Sequence, residues 1–236
     1  MSVKMELNLP RDFFESANSE NQNESVSERI AKAFLKDILN IDGIKRGDAN
    51  INEPDYVSNG EGYEVTFAIS KSLVPQLKGE RDLNKQQRNI EQELTNSILN
   101  AVNRKNEKSY SCATSLVIIA IDTLPTWYYP FFADIKDRFE EFAWRGYAAY
   151  NRNKFFSELY STYIQFEKFK NIYIIQPMFD GNLAFYNLRD FGENKENFIT
   201  CVSPSIPELF PTYRVVESVR EVGKPITYEI TVVNYV

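Results

Sequence analysis

The 236-residue chain contains no histidine. A Ser/His/Asp or Cys/His nucleophile, a His-ligated zinc or haem and a histidine proton shuttle are therefore excluded. Acid–base or metal chemistry falls to Asp, Glu, Lys, Tyr, Ser, Thr or water. Cysteine is almost as scarce, and the pair Cys112 and Cys201 is too small for a disulfide scaffold or a structural zinc site. No apolar run reaches membrane-spanning length, since the longest, 116–121, is only strand-sized. Nothing at the N-terminus has the pattern of a signal peptide. The expectation is a soluble, cytoplasmic chain with reduced thiols and no membrane contact.

What is present describes a folded protein. Hydrophobic residues make up 43% and charged residues 25%, and 17 Phe, 14 Tyr and 2 Trp rule out a disordered chain. At this length roughly 70–75% of the unfolded surface can be buried. The net charge of −6, from 27 basic and 33 acidic residues, argues against nucleic acid coating the whole surface and leaves a local basic groove open. The acidity is confined. Residues 1–64 hold 13 acidic and 7 basic side chains, and the remainder balance at 20 of each.

The order of elements reads as α/β. Residues 1–24 are polar and read as a lead-in and loop. Ser25-Val-Ser-Glu28 has the form of a capping box, and Ile30, Ala33, Phe34 and Ile38 follow at helical spacing, which predicts a helix over about 25–40. After a loop at 43–52, the stretches 51–58 and 63–70 predict two strands joined at Asn59-Gly60-Glu61-Gly62, a hairpin signal. A long helix is expected over about 83–108, with Ile90, Leu94, Ile98, Ala101 and Val102 on one face, and then a doubly buried strand over 115–122. An aromatic run, Trp127-Tyr-Tyr-Pro-Phe-Phe132, opens a helical stretch over about 133–169, broken near 150–153. Strands over 171–175 and 183–186, with Asp180-Gly181 as a turn, precede a C-terminal hairpin of 213–222 and 226–233 around Gly223-Lys-Pro225. With no repeat or long linker, the expectation is one elaborated domain over 1–236. Its parts are a core at 25–122, a helical segment at 123–170 and a β-rich part at 171–236.

Chemistry concentrates in the first hairpin, Glu53-Pro-Asp55-Tyr-Val-Ser-Asn-Gly-Glu-Gly-Tyr-Glu64-Val-Thr66. Its two strands each present a carboxylate, Asp55 and Glu64, and residues that close to a turn face one another. Two adjacent anions share a proton or bind a cation, and hard oxygen ligands suit Mg²⁺, which takes phosphate as a further ligand.

On Pro54-Asp55, on Glu64 nine residues later and on the sequel of helix and strand, the stretch 25–122 resembles the PD-(D/E)XK nuclease superfamily, the restriction-endonuclease-like fold. Pro-Asp-aromatic, Glu-Val-Thr and a helix ending Arg104-Lys105-Asn-Glu-Lys108-Ser-Tyr110 resemble an uncharacterised bacterial branch of it. The resemblance implies a core of helix, β-hairpin, helix and buried strand, here with a helical insertion and C-terminal β-hairpins. It implies Mg²⁺ or Mn²⁺ held by Asp55, Glu64 and the carbonyl of Val65, hydrolysis of phosphodiesters, DNA as partner, and it admits a homodimer. The superfamily's lysine position holds Thr66, so the cation would come from the second helix, from Lys85, Lys105 or Lys108, with Lys105 in the best-aligned place. Lys71 lies on the opposite strand face. Glu28 is either the first helix's acidic site residue or simply the capping-box partner of Ser25. The segment 71–108 carries eight basic and five acidic residues, where backbone contacts to nucleic acid could start. The run at Trp127 either stacks bases or fills a core. The uncharged Thr66 keeps a second class open, a catalytically inactive nuclease-fold protein that binds nucleic acid or protein. A third is an unrelated α/β binding domain.

Overall fold

The computed structural model describes residues 2–9, 25–69, 90–121, 154–161, 168–178, 182–193, 199–205, 210, 212–219 and 227–234. In chain order these form β1 (Ser2–Leu9), α1 (Val26–Asp37), β2 (Lys45–Arg46), β3 (Tyr56–Ser58), β4 (Glu61–Ala68), α2 (Ile90–Asn106) and β5 (Ala113–Ala120). There follow α3 (154–161), β6 (Phe169–Pro177), β7 (Leu183–Asn187), α4 (Leu188–Glu193), β8 (Ile199–Val202), β9 (Thr212–Val219) and β10 (Thr227–Asn234). The described strands make a seven-stranded sheet, β2-β3-β4-β5-β6-β7-β8, and a three-stranded sheet, β10-β1-β9. The architecture is mixed α/β. No helix among the described residues is long and apolar enough to cross a membrane.

The β-branched run of β5 takes the centre of the large sheet, parallel to both β4 and β6. Strand alternation then decides which helix each side chain meets. Val117, Ile119 and Ile121 pack with Val26, Ile30, Phe34 and Leu35 of α1, while Leu116, Ile118 and Ala120 pack with Leu94, Ile98, Ala101 and Val102 of α2. Phe155, Phe156 and Leu159 of α3 join the α2 side. The sheet is thus sandwiched between helices, which is why β5 is apolar on both faces. The same alternation on β4 sends Tyr63 and Val65 toward α1 and brings Glu64 and Thr66 to the α2 side.

Local signals account for the elements that frame the site. Helix α1 starts in the expected capping box: the Glu28 N–H donates to Ser25 Oγ at 3.2 Å and the Ser25 N–H donates to Glu28 Oε2 at 2.7 Å. The hairpin turn is tighter than the four-residue joint suggests. Asn59 and Gly60 alone form it, with φ of 51° and 81°, and Ser58 pairs directly with Glu61. That is a two-residue turn of the primed class, whose twist suits adjacent strands.

Three expectations give way. The polar lead-in contains a strand, because Val3, Met5, Leu7 and Leu9 alternate with polar residues, and Leu7 is fully buried against the α1 side of the core. The C-terminal hairpin does not form: β9 and β10 lie on either side of β1, antiparallel and parallel to it, so pairing with β1 replaces pairing with each other. The strand expected at 51–58 shortens to Tyr56–Ser58, because Ala49–Ile51 is a helical turn and Pro54 cannot donate to a ladder. Residues 71 and 85, the aromatic run at 127–132 and the Asp180-Gly181 turn lie outside the described residues. Leu7→Ala should lower stability by about 2–5 kcal/mol, as for other buried leucines. Urea denaturation reads this, and an unchanged midpoint would contradict the placement of β1.

Candidate active site

The site is built where the β3–β4 pairing stops. The register Tyr56↔Tyr63, continued one step, sets Asp55 opposite Glu64, and one step further it sets Pro54 opposite Val65. Pro54 has no N–H to give the ladder. The Val65 N–H is instead taken by the Asp55 side chain, donating to Oδ2 at 2.7 Å. The Ala68 carbonyl accepts from the Ile121 N–H on the β5 side, so by alternation the backbone groups of Val65 face away from β5, toward the edge that β3 has vacated. Among the described residues, no ladder donor meets the Val65 carbonyl there.

The loop carrying Asp55 is tied at several points. The Gly47 N–H donates to the Asp55 carbonyl at 3.0 Å, the Asp48 N–H donates to Glu53 Oε2 at 2.8 Å, and the Ser111 N–H donates to the Asn52 carbonyl at 3.0 Å. Pro54 is wedged between two glycines. A Cβ on Gly62 would come within 2.3 Å of Pro54 Cγ and 2.9 Å of Cys112 Sγ, and one on Gly47 within 1.8 Å of the Pro54 carbonyl oxygen. Both positions accept only the smallest residue while Pro54 stays in place.

Glu64, 2% exposed, points to the α2 side and meets two ammonium groups on one oxygen. Lys105 Nζ donates to Glu64 Oε1 at 2.5 Å and Lys108 Nζ at 2.7 Å. The Lys105 side chain is 13% exposed and that of Lys108 54%, so the first is fixed in the wall and the second reaches in from solvent. Burial pulls the Lys108 pKa down, but the hydrogen bond and charge of Glu64 outweigh it and the net shift is upward. The Tyr110 phenol, which donates to the Lys105 carbonyl at 3.3 Å, is held protonated by burial and by the charges of Glu64 and Asp55.

The Asp55 pKa is raised, first by burial and then by the Glu64 charge, against the opposing Val65 N–H, Lys105 and Lys108. The folded protein therefore holds this proton more tightly than the unfolded chain. The group's contribution to stability is greatest at low pH and is lost as pH rises through the folded pKa.

Asp55, Glu64, Val65, Lys105 and Lys108 thus come together. Glu28 is committed otherwise: its Oε2 takes the Ser25 N–H, its Oε1 pairs with Arg46 Nη2 at 3.2 Å, and its backbone carbonyl accepts from the Tyr56 hydroxyl at 3.1 Å. It anchors α1 to β2 and β3. Thr66 is not idle. Its Oγ1 accepts from Arg104 Nη2 at 2.7 Å, and the same nitrogen reaches the Phe67 carbonyl at 3.2 Å. Sequence places Arg104 only in the helix-end motif and among the basic residues of 71–108, and says nothing of the adjoining Ser97 and Asn100, although Ser97 interrupts the apolar face of α2, which is a readable signal. These residues line an open cavity of about 470 Å³ with Ser27, Val65, Thr66, Phe67, Ile69 and Ala101.

The donors suited to a hard divalent cation are two carboxylates and one backbone carbonyl. Among the described residues, no hydrogen bond engages Asp55 Oδ1 or Glu64 Oε2, and the buried, charge-repelled Asp55 fits a cation at that point. No three acidic or cysteine side chains cluster as metal ligands among the described residues, so the set would be completed by the Val65 carbonyl. No protein family, curated protein or solved structure matches this chain.

Two outcomes follow from this geometry. Asp55→Asn keeps an oxygen for the Val65 N–H and removes the repelled charge. It should raise the Tm of the metal-free protein at pH 7, with the gain shrinking as pH falls through the folded Asp55 pKa; a lower Tm at pH 7 would contradict the raised pKa. Gly62→Ala should cost about 1–3 kcal/mol, the usual penalty for overpacking, read from denaturant melts.

Proposed function

We propose that the chain is a metal-dependent phosphodiesterase of the PD-(D/E)XK type, acting on DNA. The observation that carries this reading is the placement of Asp55 opposite Glu64 at the edge of β4, with Lys105 of α2 and Lys108 just after it on Glu64. The order α1, a β2-β3-β4 meander, α2 and a parallel β5 supports it, since it matches the helix, hairpin, helix and buried strand of that superfamily's core.

Asp55, Glu64 and the Val65 carbonyl would hold Mg²⁺ or Mn²⁺. The ion would supply Lewis-acid charge for a phosphate and lower the pKa of attacking water. The chain's own residues do the rest. The Val65 N–H orients the Asp55 carboxylate, and the tied loop of Gly47, Glu53 and Ser111 keeps it there. Lys105 takes the role of the cation that Thr66 does not provide, brought from α2 to the same carboxylate. Lys108, the more exposed of the two, is placed to exchange Glu64 for a phosphate oxygen, where a positive charge opposes the charge that develops on phosphorus.

A second reading has its own observation. Glu64 Oε1 already meets two ammonium groups, and Thr66 is bound to Arg104, so the chain itself supplies partners for both. Partners of this kind for Glu64 and Thr66 suit a catalytically inactive module of the same fold that binds nucleic acid or protein.

On the first reading, Mg²⁺ or Mn²⁺ supports DNA cleavage. Asp55→Ala lowers it by a factor of about 10³ or more, and Lys105→Ala lowers it by about 10²–10⁴, the range for positioned acid–base and charge-stabilising groups. Cleavage that persists in both EDTA and Asp55→Ala would sink it. Calorimetric titration with Mn²⁺ separates the readings: wild-type binding that Asp55→Ala abolishes favours the enzyme, and no binding favours the inactive module.

A further inference from the structure

The cavity beside the carboxylates has two unlike walls. Val65, Phe67 and Ile69, with Ser27 of α1, form a largely apolar side, and Ser97, Asn100, Ala101 and Arg104 of α2 a largely polar one. Arg104 is fixed at its rim by a single nitrogen, which serves both Thr66 Oγ1 and the Phe67 carbonyl. A guanidinium carries five N–H donors, and two belong to that nitrogen. Among the described residues no partner engages the other three. A cation held in one orientation with unspent donors in a fork is suited to phosphate, which it can meet with two parallel hydrogen bonds. Thr66 thus acts as a mount for Arg104, a role that a lysine at this position could not fill because an ammonium has no acceptor.

The cavity's volume, about 470 Å³, lies in the range of small-molecule sites and admits one nucleotide unit, whereas an intact duplex is far too wide to enter. We propose that it is a subsite for a single unpaired nucleotide, with its phosphate on Arg104 and its base against the apolar wall formed by Phe67 and Ile69. The inference rests on the phosphodiesterase reading and sharpens it: the substrate is single-stranded or locally unpaired nucleic acid, led past Asp55 and Glu64 along the open edge of β4. Flat apolar surfaces accept any base face, so the subsite selects strand state and not sequence.

The test uses thymidine monophosphate, with thymidine and inorganic phosphate as separate probes, titrated into the whole chain in EDTA and followed by calorimetry. The monophosphate should bind at least tenfold more tightly than either fragment, and Arg104→Ala should weaken it at least tenfold, with Arg104→Lys in between. Because Arg104 also braces β4, a second variant is needed. Asn100→Trp, at an exposed helix position, fills the cavity and should abolish nucleotide binding with the Tm retained. Equal affinity for monophosphate in wild type and Arg104→Ala, or undiminished binding by Asn100→Trp, would overturn the subsite. Failure here is separable from failure of the enzyme reading. Mg²⁺-dependent cleavage lost in Asp55→Ala, without nucleotide binding in EDTA, removes the subsite alone. Arg104-dependent binding without cleavage of any strand keeps the subsite and removes the enzyme.

Discussion

The hydrogen bond from the Val65 N–H to the Asp55 carboxylate is the contact on which the site depends. A β-ladder normally closes every backbone group it can reach, and a buried N–H left open costs as much as a lost hydrogen bond. Pro54 interrupts that closure at one rung. The carboxylate next to it satisfies the orphaned donor, and the carbonyl of the same residue is left facing outward. A sheet edge, which proteins usually cover or blunt, becomes a place where oxygen ligands and a cavity meet. The two glycines that make room for Pro54 are part of the same device, because a side chain at either would push the proline, and Asp55 with it, off the edge.

The second constraint is electrostatic. Glu64 sits in the middle of a buried strand, where an uncompensated carboxylate would carry a penalty of several kcal/mol. Lys105 in the last turn of α2 and Lys108, two residues beyond its end, compensate it, because α2 ends beside β4. Asp55 gains less from these cations and stays repelled. The four groups balance in total charge but not in place: the positive charge is concentrated at Glu64 and the unrelieved negative charge at Asp55. That asymmetry gives the site its polarity, with Arg104 extending the positive side toward the cavity.

Much of this was legible in the residues. The capping box at Ser25 and Glu28, the Asn-Gly turn, the apolar stripe of α2 and the β-branched run of β5 each have one strong local cause, and each forms about where its cause lies. The pairing of Asp55 with Glu64 follows from the turn. The contribution of Lys105 and Lys108 came only from likeness to a superfamily, since no local pattern says which charge on a helix end will meet a strand. Strand β1 is written in the alternation of Val3, Met5, Leu7 and Leu9, but the long polar stretch after it gives residues 1–24 as a whole the composition of a loop. The pairing of β9 and β10 across β1 was not legible: neighbouring strands with a Gly-Lys-Pro joint favour a hairpin, and no local pattern says that a strand more than 200 residues away will come between them. Arg104 was hidden for a similar reason, as its partners, Thr66 and the Phe67 carbonyl, lie nearly forty residues away.

The small sheet also imposes an order in time. Its central strand runs from Ser2 and pairs in parallel with a strand that begins at Thr227 and ends at Asn234. Contacts so distant along the chain form slowly, because the intervening loop must close before they contribute. During synthesis α1, the first hairpin, α2 and β5 can assemble while β1 still has neither partner. The residues of the candidate site thus need neither β9 nor β10 to come together, whereas β1 needs both. For that interval an apolar-faced strand stays exposed, with both edges unpaired, which is the state in which a nascent chain most needs a chaperone.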